Sequence, residues 1–398
     1  MNMEKPVGLV RGTRDWFPDD YARLLDLEAT LLKSFADAGY RRMRIPVLEH
    51  TELHERKSGA GIVGKLYELA EGHQSRACLR PELTAGIVRA YCEAGEAPPL
   101  PWRVCVSGPV FRHETMRAGY DREFLQAGVE MLGASGPESD AEVICLAWKT
   151  LRQLGIANPT LRIGHVGLIL EMLRRSGLPE SARAALVERL SEAAAEGRDI
   201  GALEAALEQL SGWLSVEREE AQVVGSESDS SVDRLFRTLV PNVTGRRTAA
   251  EILGRLRHKW ELAHSLQDVV SRLREHMRQL STFCGPATSV LSRLREEYAT
   301  LAPDSVSALG SLTAALGRLG VDLGRVEFDL GFGRGIGFYS QMVFELIVPT
   351  PDGPVEVCGG GRYDGLARVL GSDRDDRGVG FAFGLERLAG VVAKEVTK

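Results

Sequence analysis

Four short stretches of the 398-residue chain carry side chains whose types and spacing could do chemistry. In Leu79-Arg80-Pro81-Glu82-Leu83-Thr84 a carboxylate and a hydroxyl stand two apart. On an extended chain they share a side, and such a pair could hold an α-ammonium group. The same letters also open a helix, with Pro81, Glu82 and Thr84 as its start signals, and taken alone that is the favoured reading. The second stretch runs Gly108-Pro109-Val110-Phe111-Arg112-His113-Glu114 and continues from Arg122 through Gln126 to Glu130. On a strand Gln126 and Glu130 face one side and Ala127 and Val129 the other. Buried together, an amide and a carboxylate need a polar partner such as a ligand. Arg112 offers a fork for a carboxylate or a phosphate. A surface hairpin with ordinary charged positions fits this stretch equally well.

The third stretch, Gly331-Phe332-Gly333-Arg334-Gly335-Ile336-Gly337-Phe338-Tyr339, is dense enough in glycine for the backbone to approach a ligand closely. Strand-like Met342 to Val348 follows it rather than a helix, which fails the test for a dinucleotide-binding fingerprint. The fourth is Gly359-Gly360-Gly361-Arg362-Tyr363-Asp364-Gly365, then Gly378 to Leu388. It sets Arg387 in the first turn of a helix beyond a glycine-rich strand, where helix-end N–H groups would help it meet a phosphate. On its own, a surface arginine is the plainer reading.

These residues need a scaffold, and the periodicity supplies one. Leu24, Leu27, Leu31 and Phe35 predict an amphipathic helix from Pro18 to Ala38, ended by Gly39. A half-buried strand is expected over Arg41 to Leu48, with Pro46 at an edge. Two strands follow around Val104, Val106, Val110 and Phe111, and around Phe124, Ala127, Val129 and Met131, then a helix from Asp140 to Leu154 and a strand over Thr160 to Ile163. Residues 168–319 turn to Ala, Leu, Glu and Arg with helical periodicity, the signature of a helical insertion, with Gly225 to Ser231 as an exposed loop or, equally, a linker between two parts of the insertion. Strands return at Val326 to Leu330, Met342 to Val348, Val355 to Gly361 and Val379 to Phe383, before a helix from about Leu385. The expected fold is α+β: a mostly antiparallel sheet flanked by helices, its halves at 1–167 and 320–398 separated by the insertion.

The bulk numbers narrow the function classes. An apolar share of 44% with 26% charged residues suits a globular core rather than disorder. A net charge of -6 gives no general attraction to nucleic acid. The six cysteines are scattered without a Cys-x-x-Cys pair, so neither a zinc site nor a disulfide framework is expected. Met1 to Val10 is too short and mixed for a signal peptide, and no apolar run approaches the ~18 residues of a membrane span. A soluble, cytoplasmic protein without metal or cofactor is the expectation.

The four stretches, in this order, resemble histidyl-tRNA synthetases and the synthetase-like regulatory subunits of ATP phosphoribosyltransferase. Arg11-Gly12-Thr13-Arg14-Asp15 and Pro46 extend the match, which covers residues 8–165 and 320–390. The resemblance implies a class II aminoacyl-tRNA synthetase core, and a histidine pocket built from Glu82, Thr84, Arg112, Gln126, Glu130, Arg334 and Tyr339. It aligns Arg112 and Arg387 with the motif arginines that hold ATP phosphates, and Gly360, Gly361, Arg362 and Tyr363 with a glycine-rich pocket wall.

Three departures turn the expectation from synthetase to regulator. Synthetases of this type continue for about a domain beyond Gly-Leu-Glu-Arg, whereas only Ala389 to Lys398 follow here, so no anticodon-binding domain and no tRNA are expected. Thr115 and Tyr120 stand where the motif-two loop usually carries arginines, and Gly337 stands where a carboxylate is usual. Leu83, Gly164-His165-Val166-Gly167 and Phe328-Asp329-Leu330-Gly331 lean toward the regulatory family. The implied partners are a short-form catalytic subunit of ATP phosphoribosyltransferase, histidine as ligand, and a second copy of the chain within a hetero-oligomer. No catalytic residue is assigned. The alternative is a truncated paralogue that activates histidine, or a related amino acid, with ATP.

Overall fold

The computed structural model describes residues 7–58, 64–69, 76–113, 121–177, 183, 186–187, 268–331, 339–375 and 377–396. Helix α1 (Pro18–Asp37) opens on a proline and two acidic residues, which suit a helix start, and buries Leu24, Leu27, Leu31 and Phe35. Gly39, at φ +85°, releases the chain from it.

The stretch expected as one strand over Arg41 to Leu48 is divided. Strand β1 (Arg41–Arg42) pairs in parallel with the main sheet, while β2 (Leu48–His50) belongs to a second, three-stranded sheet. Pro46 has no N–H to give a ladder. The carbonyls of Ile45 and Pro46 instead accept from the buried Arg80 guanidinium, each at 3.0 Å. Helix α2 (Thr51–Ser58), β3 (Tyr67–Leu69) and β4 (Ala77–Leu79) complete this small layer, and α3 (Thr84–Glu93) leads out of it.

Next come β5 (Trp102–Phe111), β6 (Glu123–Leu132), α4 (Pro137–Gln153), β7 (Thr160–His165) and α5 (Gly167–Arg175). Further along the chain come β8 (Cys284–Pro286), α6 (Ala287–Tyr298), α7 (Pro303–Arg318) and β9 (Val326–Asp329). The chain ends with β10 (Met342–Thr350), β11 (Gly353–Arg362), α8 (Leu366–Val369), β12 (Gly378–Gly384) and α9 (Leu385–Val396).

The main sheet has nine strands in the order β1-β5-β6-β12-β11-β10-β7-β9-β8. It is mixed: β1 with β5 and β7 with β9 run parallel, the other neighbours antiparallel. One large apolar cluster joins α1, α4 and α7 to one face of the sheet, with Phe35 against Phe381 and Phe383. This is the α+β sheet flanked by helices expected from the residues.

The expected helical block needs a correction at its far end. Strand β8 lies inside residues 168–319 yet borders β9 in the main sheet. Helical residues 268–280, α6 and α7 bury Val270, Met277, Leu294 and Leu309 in the same cluster as α4. Ala- and Leu-rich helices look alike in sequence whether they cover a core or stand apart from it, and a three-residue strand of Cys-Gly-Pro has no periodicity to read. Most of the remainder of the block, with Gly225 to Ser231, lies outside the described residues.

Candidate amino-acid-binding site

The face of the sheet opposite the large cluster carries the polar residues. Helix α3 begins at Thr84, and the Glu82 carboxylate accepts from the N–H groups of Thr84 at 2.6 Å and Ala85 at 3.0 Å. Glu82 therefore serves as the helix-start residue and is fixed by that role. A carboxylate at a helix N-terminus also sits at the positive end of the helix dipole.

The Thr84 hydroxyl donates to Glu130 Oε1 at 2.6 Å, and the Tyr363 phenol donates to Glu130 Oε2. Glu130 comes from β6, where it pairs in register with Val104 of β5 and Gly380 of β12. Its neighbours Ala127 and Val129 are fully buried in the large cluster, whereas Gln126 and Glu130 are buried on the polar side, as alternation on a strand dictates. Gly380 is what leaves room for the carboxylate: a Cβ there would lie 1.8 Å from Glu130 Oε2. On β11 a Cβ at Gly361 would stand 2.8 Å from the Tyr339 ring, so the ring closes onto a strand without a side chain at that point. Tyr339 packs against the apolar cluster that contains Tyr363, Tyr91 and Val88.

Arg112 follows directly on β5. Its Nε donates to the Pro81 carbonyl at 2.8 Å, next to Glu82, and its guanidinium lies 5.2 Å from the centre of the Phe124 ring. Arg387 lies in the first turn of α9, with Nη1 3.7 Å from Glu356 and its head close to Gly384, the register partner of Gln126. Glu82, Thr84, Glu130, Tyr363, Tyr339 and Gly361 are thus brought into one neighbourhood, with Arg112 at its Glu82 end. Arg334, together with Gly333, Gly337, Thr115 and Tyr120, lies outside the described residues.

Arg362 does not join the pocket wall. Strand alternation turns it to the α4 side, where the fully buried guanidinium donates to Asp140 at 2.7 Å, Asp364 at 2.9 Å, Ser139 at 2.7 Å and the Ala134 carbonyl at 2.8 Å. It clasps β11 to the start of α4.

Two residues of the site have no signal in the sequence. Lys57 and His54, one turn apart on α2, reach Glu82 from the small layer, with Lys57 Nζ at 2.9 Å and His54 Nδ1 at 3.8 Å. Both side chains are buried. They sit in a short, polar helix, and only the tertiary fold shows which of its charges turn inward.

The electrostatics separate the two carboxylates. Burial raises the Glu82 carboxyl, but the Lys57 ammonium, the His54 imidazole and the Ala85 N–H outweigh it and hold the group at about 2. Burial dominates at Glu130 and, with the charge of Glu82, lifts it to about 7 against the Thr84 and Tyr363 hydrogen bonds. Burial likewise depresses His54 to about 4, which keeps it neutral. The site therefore presents one firmly anionic carboxylate with a hydroxyl two residues away, suited to an ammonium. Beside it is a carboxyl poised near neutrality, matched to a group such as imidazole that also titrates there. Among the described residues no group of three or more His, Cys, Asp or Glu side chains is disposed to hold a metal ion. No helix among them is long and apolar enough to cross a membrane.

A family model described as histidyl-tRNA synthetase matches residues 12–220 and 200–388. The fold and the site define a class II synthetase-like core, and the chain belongs to the histidyl-tRNA synthetase family. It is 31% identical to a histidine–tRNA ligase of a Synechococcus species, over 98% of this chain and 75% of that one. It is also 31% identical to an ATP phosphoribosyltransferase regulatory subunit of Moorella thermoacetica, over 96% of this chain and 81% of that one. A crystal structure from Bacillus halodurans, titled as an ATP phosphoribosyltransferase regulatory subunit/histidyl-tRNA synthetase, superposes with a TM-score of 0.65 at 20% identity, covering 98% of this chain and 84% of its own. That last likeness bears on the fold.

Proposed function

We propose that this chain is a regulatory, non-catalytic subunit of ATP phosphoribosyltransferase, required for the first step of histidine biosynthesis and for its feedback control by histidine. The observation that carries the reading is the linked set of half-buried Glu82 and Thr84 with buried Glu130 and Tyr363, whose charges suit the ammonium and the ring of free histidine. The relative from Moorella named as such a regulatory subunit supports the choice of system. Gln126, Tyr339, Arg112 and Arg334 complete the proposed histidine site, with Gly361 and Tyr363 as its wall; Gly360, the register partner of Phe381 in the large cluster, faces the other side of the sheet with Arg362. A pocket of this kind regulates only if histidine favours one state of the complex over another.

The proposed partner is a short-form catalytic subunit, with two copies of this chain forming a dimeric unit inside the hetero-oligomer, in the cytoplasm. An exposed apolar row on α1 and its approach, Phe17, Tyr21 and Leu25, supports the pairing of copies through that helix. The test is to mix the protein with a short-form catalytic subunit. Formation of phosphoribosyl-ATP should require both, and added histidine should suppress it. Robust ATP–pyrophosphate exchange with histidine by this chain alone overturns the proposal in favour of a histidine-activating enzyme, for which Arg112 and Arg387 are the candidate phosphate-binding groups.

A further inference from the structure

The carboxylate that suits a ligand's ammonium already has one. Lys57 Nζ lies 2.9 Å from Glu82 Oε1, and its side chain is only 6% exposed. Glu82 also accepts two backbone N–H groups, which is ample satisfaction for a structural helix cap. A buried lysine is costly to keep charged, and a helix start does not need one. The groups around it belong to the pocket: Glu82 and Glu130 favour its charge, while Arg112 opposes it. His54, buried and neutral, flanks the same carboxylate, and its Nε2 finds no hydrogen-bond partner among the described residues.

We propose that Lys57 is a tethered ammonium that fills the place on Glu82 which the pocket offers to a free α-amino acid, so that a ligand's own ammonium must displace it. The inference rests on the reading of this pocket as an amino-acid site. Its consequence is a specificity rule. In the intact protein the ligand's ammonium gains Glu82 only as Lys57 loses it, so ring and carboxylate contacts dominate recognition. It also defines two states of the site, with Lys57 on Glu82 when empty and off it when occupied, and such a differential contact is what a regulatory ligand needs.

The test compares L-histidine with imidazolepropionate, which keeps the ring and the carboxylate but lacks the ammonium, by titration calorimetry on the full chain and on Lys57→Met. In the intact protein the two ligands should differ by less than about threefold in Kd, since one ion pair replaces another. In Lys57→Met, L-histidine should bind at least about tenfold tighter than in the intact protein, and at least about tenfold tighter than imidazolepropionate, the lower end of what a hydrogen bond to a charged group contributes. If the intact protein binds imidazolepropionate more than about tenfold weaker than histidine, or if folded Lys57→Met gains no affinity for histidine, the lysine proposal falls while the pocket reading stands. Should Lys57→Met fail to fold, the ligand ratio in the intact protein decides alone. If histidine binds to neither protein, the pocket reading falls and takes this inference with it.

Discussion

Replacing Glu130 by Gln keeps the shape of the side chain and removes its titration; one acceptor oxygen becomes an N–H donor to which a neighbouring hydroxyl must turn, a cost that does not vary with pH, so the pH dependence isolates what the buried carboxyl does to stability. In the folded protein the group ionises at about 7, against an ordinary 4.5. The folded chain therefore holds its proton where the unfolded chain has released it, and stability falls as pH rises from about 4.5 to about 7. At about 1.4 kcal/mol per unit of pH, the gap of roughly 2.5 units corresponds to a penalty on the order of 3 kcal/mol, present in full above pH 7 and absent below pH 4.5. Gln carries no such penalty, and the remaining ionisable groups titrate in both proteins and largely cancel in the difference. Urea unfolding of the two proteins at pH 5 and pH 8 reads that difference directly. Glu130→Gln should gain about 2–3 kcal/mol relative to the parent between the two conditions. A difference that stays flat with pH, or moves the other way, would refute the claim that burial governs this carboxylate.

Arg362→Met should destabilise the protein by about 3–5 kcal/mol, because it leaves Asp140 buried and unpaired, and adding Asp140→Asn should recover part of the loss in the same urea experiment. Gly380→Ala should lower stability by at least about 1–3 kcal/mol and abolish histidine binding, since its Cβ would collide with both Glu130 and the Val129 carbonyl. An unchanged melting temperature would contradict the close approach of β6 and β12. Thr84→Val should cost about 1–3 kcal/mol by depriving Glu130 of a donor, and should weaken histidine binding in calorimetry.

Much of the site was legible in the sequence because its residues sit at fixed spacings within single elements. Gln126 and Glu130 share a face of β6 by alternation alone, and Glu82 with Thr84 straddles a helix start that needs a carboxylate in any case. Helix opening and ligand contact are compatible roles for Glu82, because the cap is what aims the group. Arg362 was misplaced because its resemblance marks the segment and not the side of the strand; counting from Tyr363 would have turned it toward α4. Lys57 and His54 were invisible because their burial depends on α2 packing onto α3, and nothing periodic in Thr51–Ser58 announces it. The division of Arg41 to Leu48 between two sheets likewise depends on a remote residue, Arg80, which takes the carbonyls that a ladder would have used.

The position of β12 between β6 and β11 has a consequence for the birth of the protein. On the ribosome, Glu82, Thr84 and Glu130 emerge long before Tyr363 and the glycines of β12, and until then β6 has a bare edge where its partner belongs. Such an edge invites pairing with a neighbouring nascent chain. A polypeptide released before β12 would expose this sticky margin and lack the glycine against which the Glu130 carboxylate lies, so the candidate site can close only after that strand has emerged.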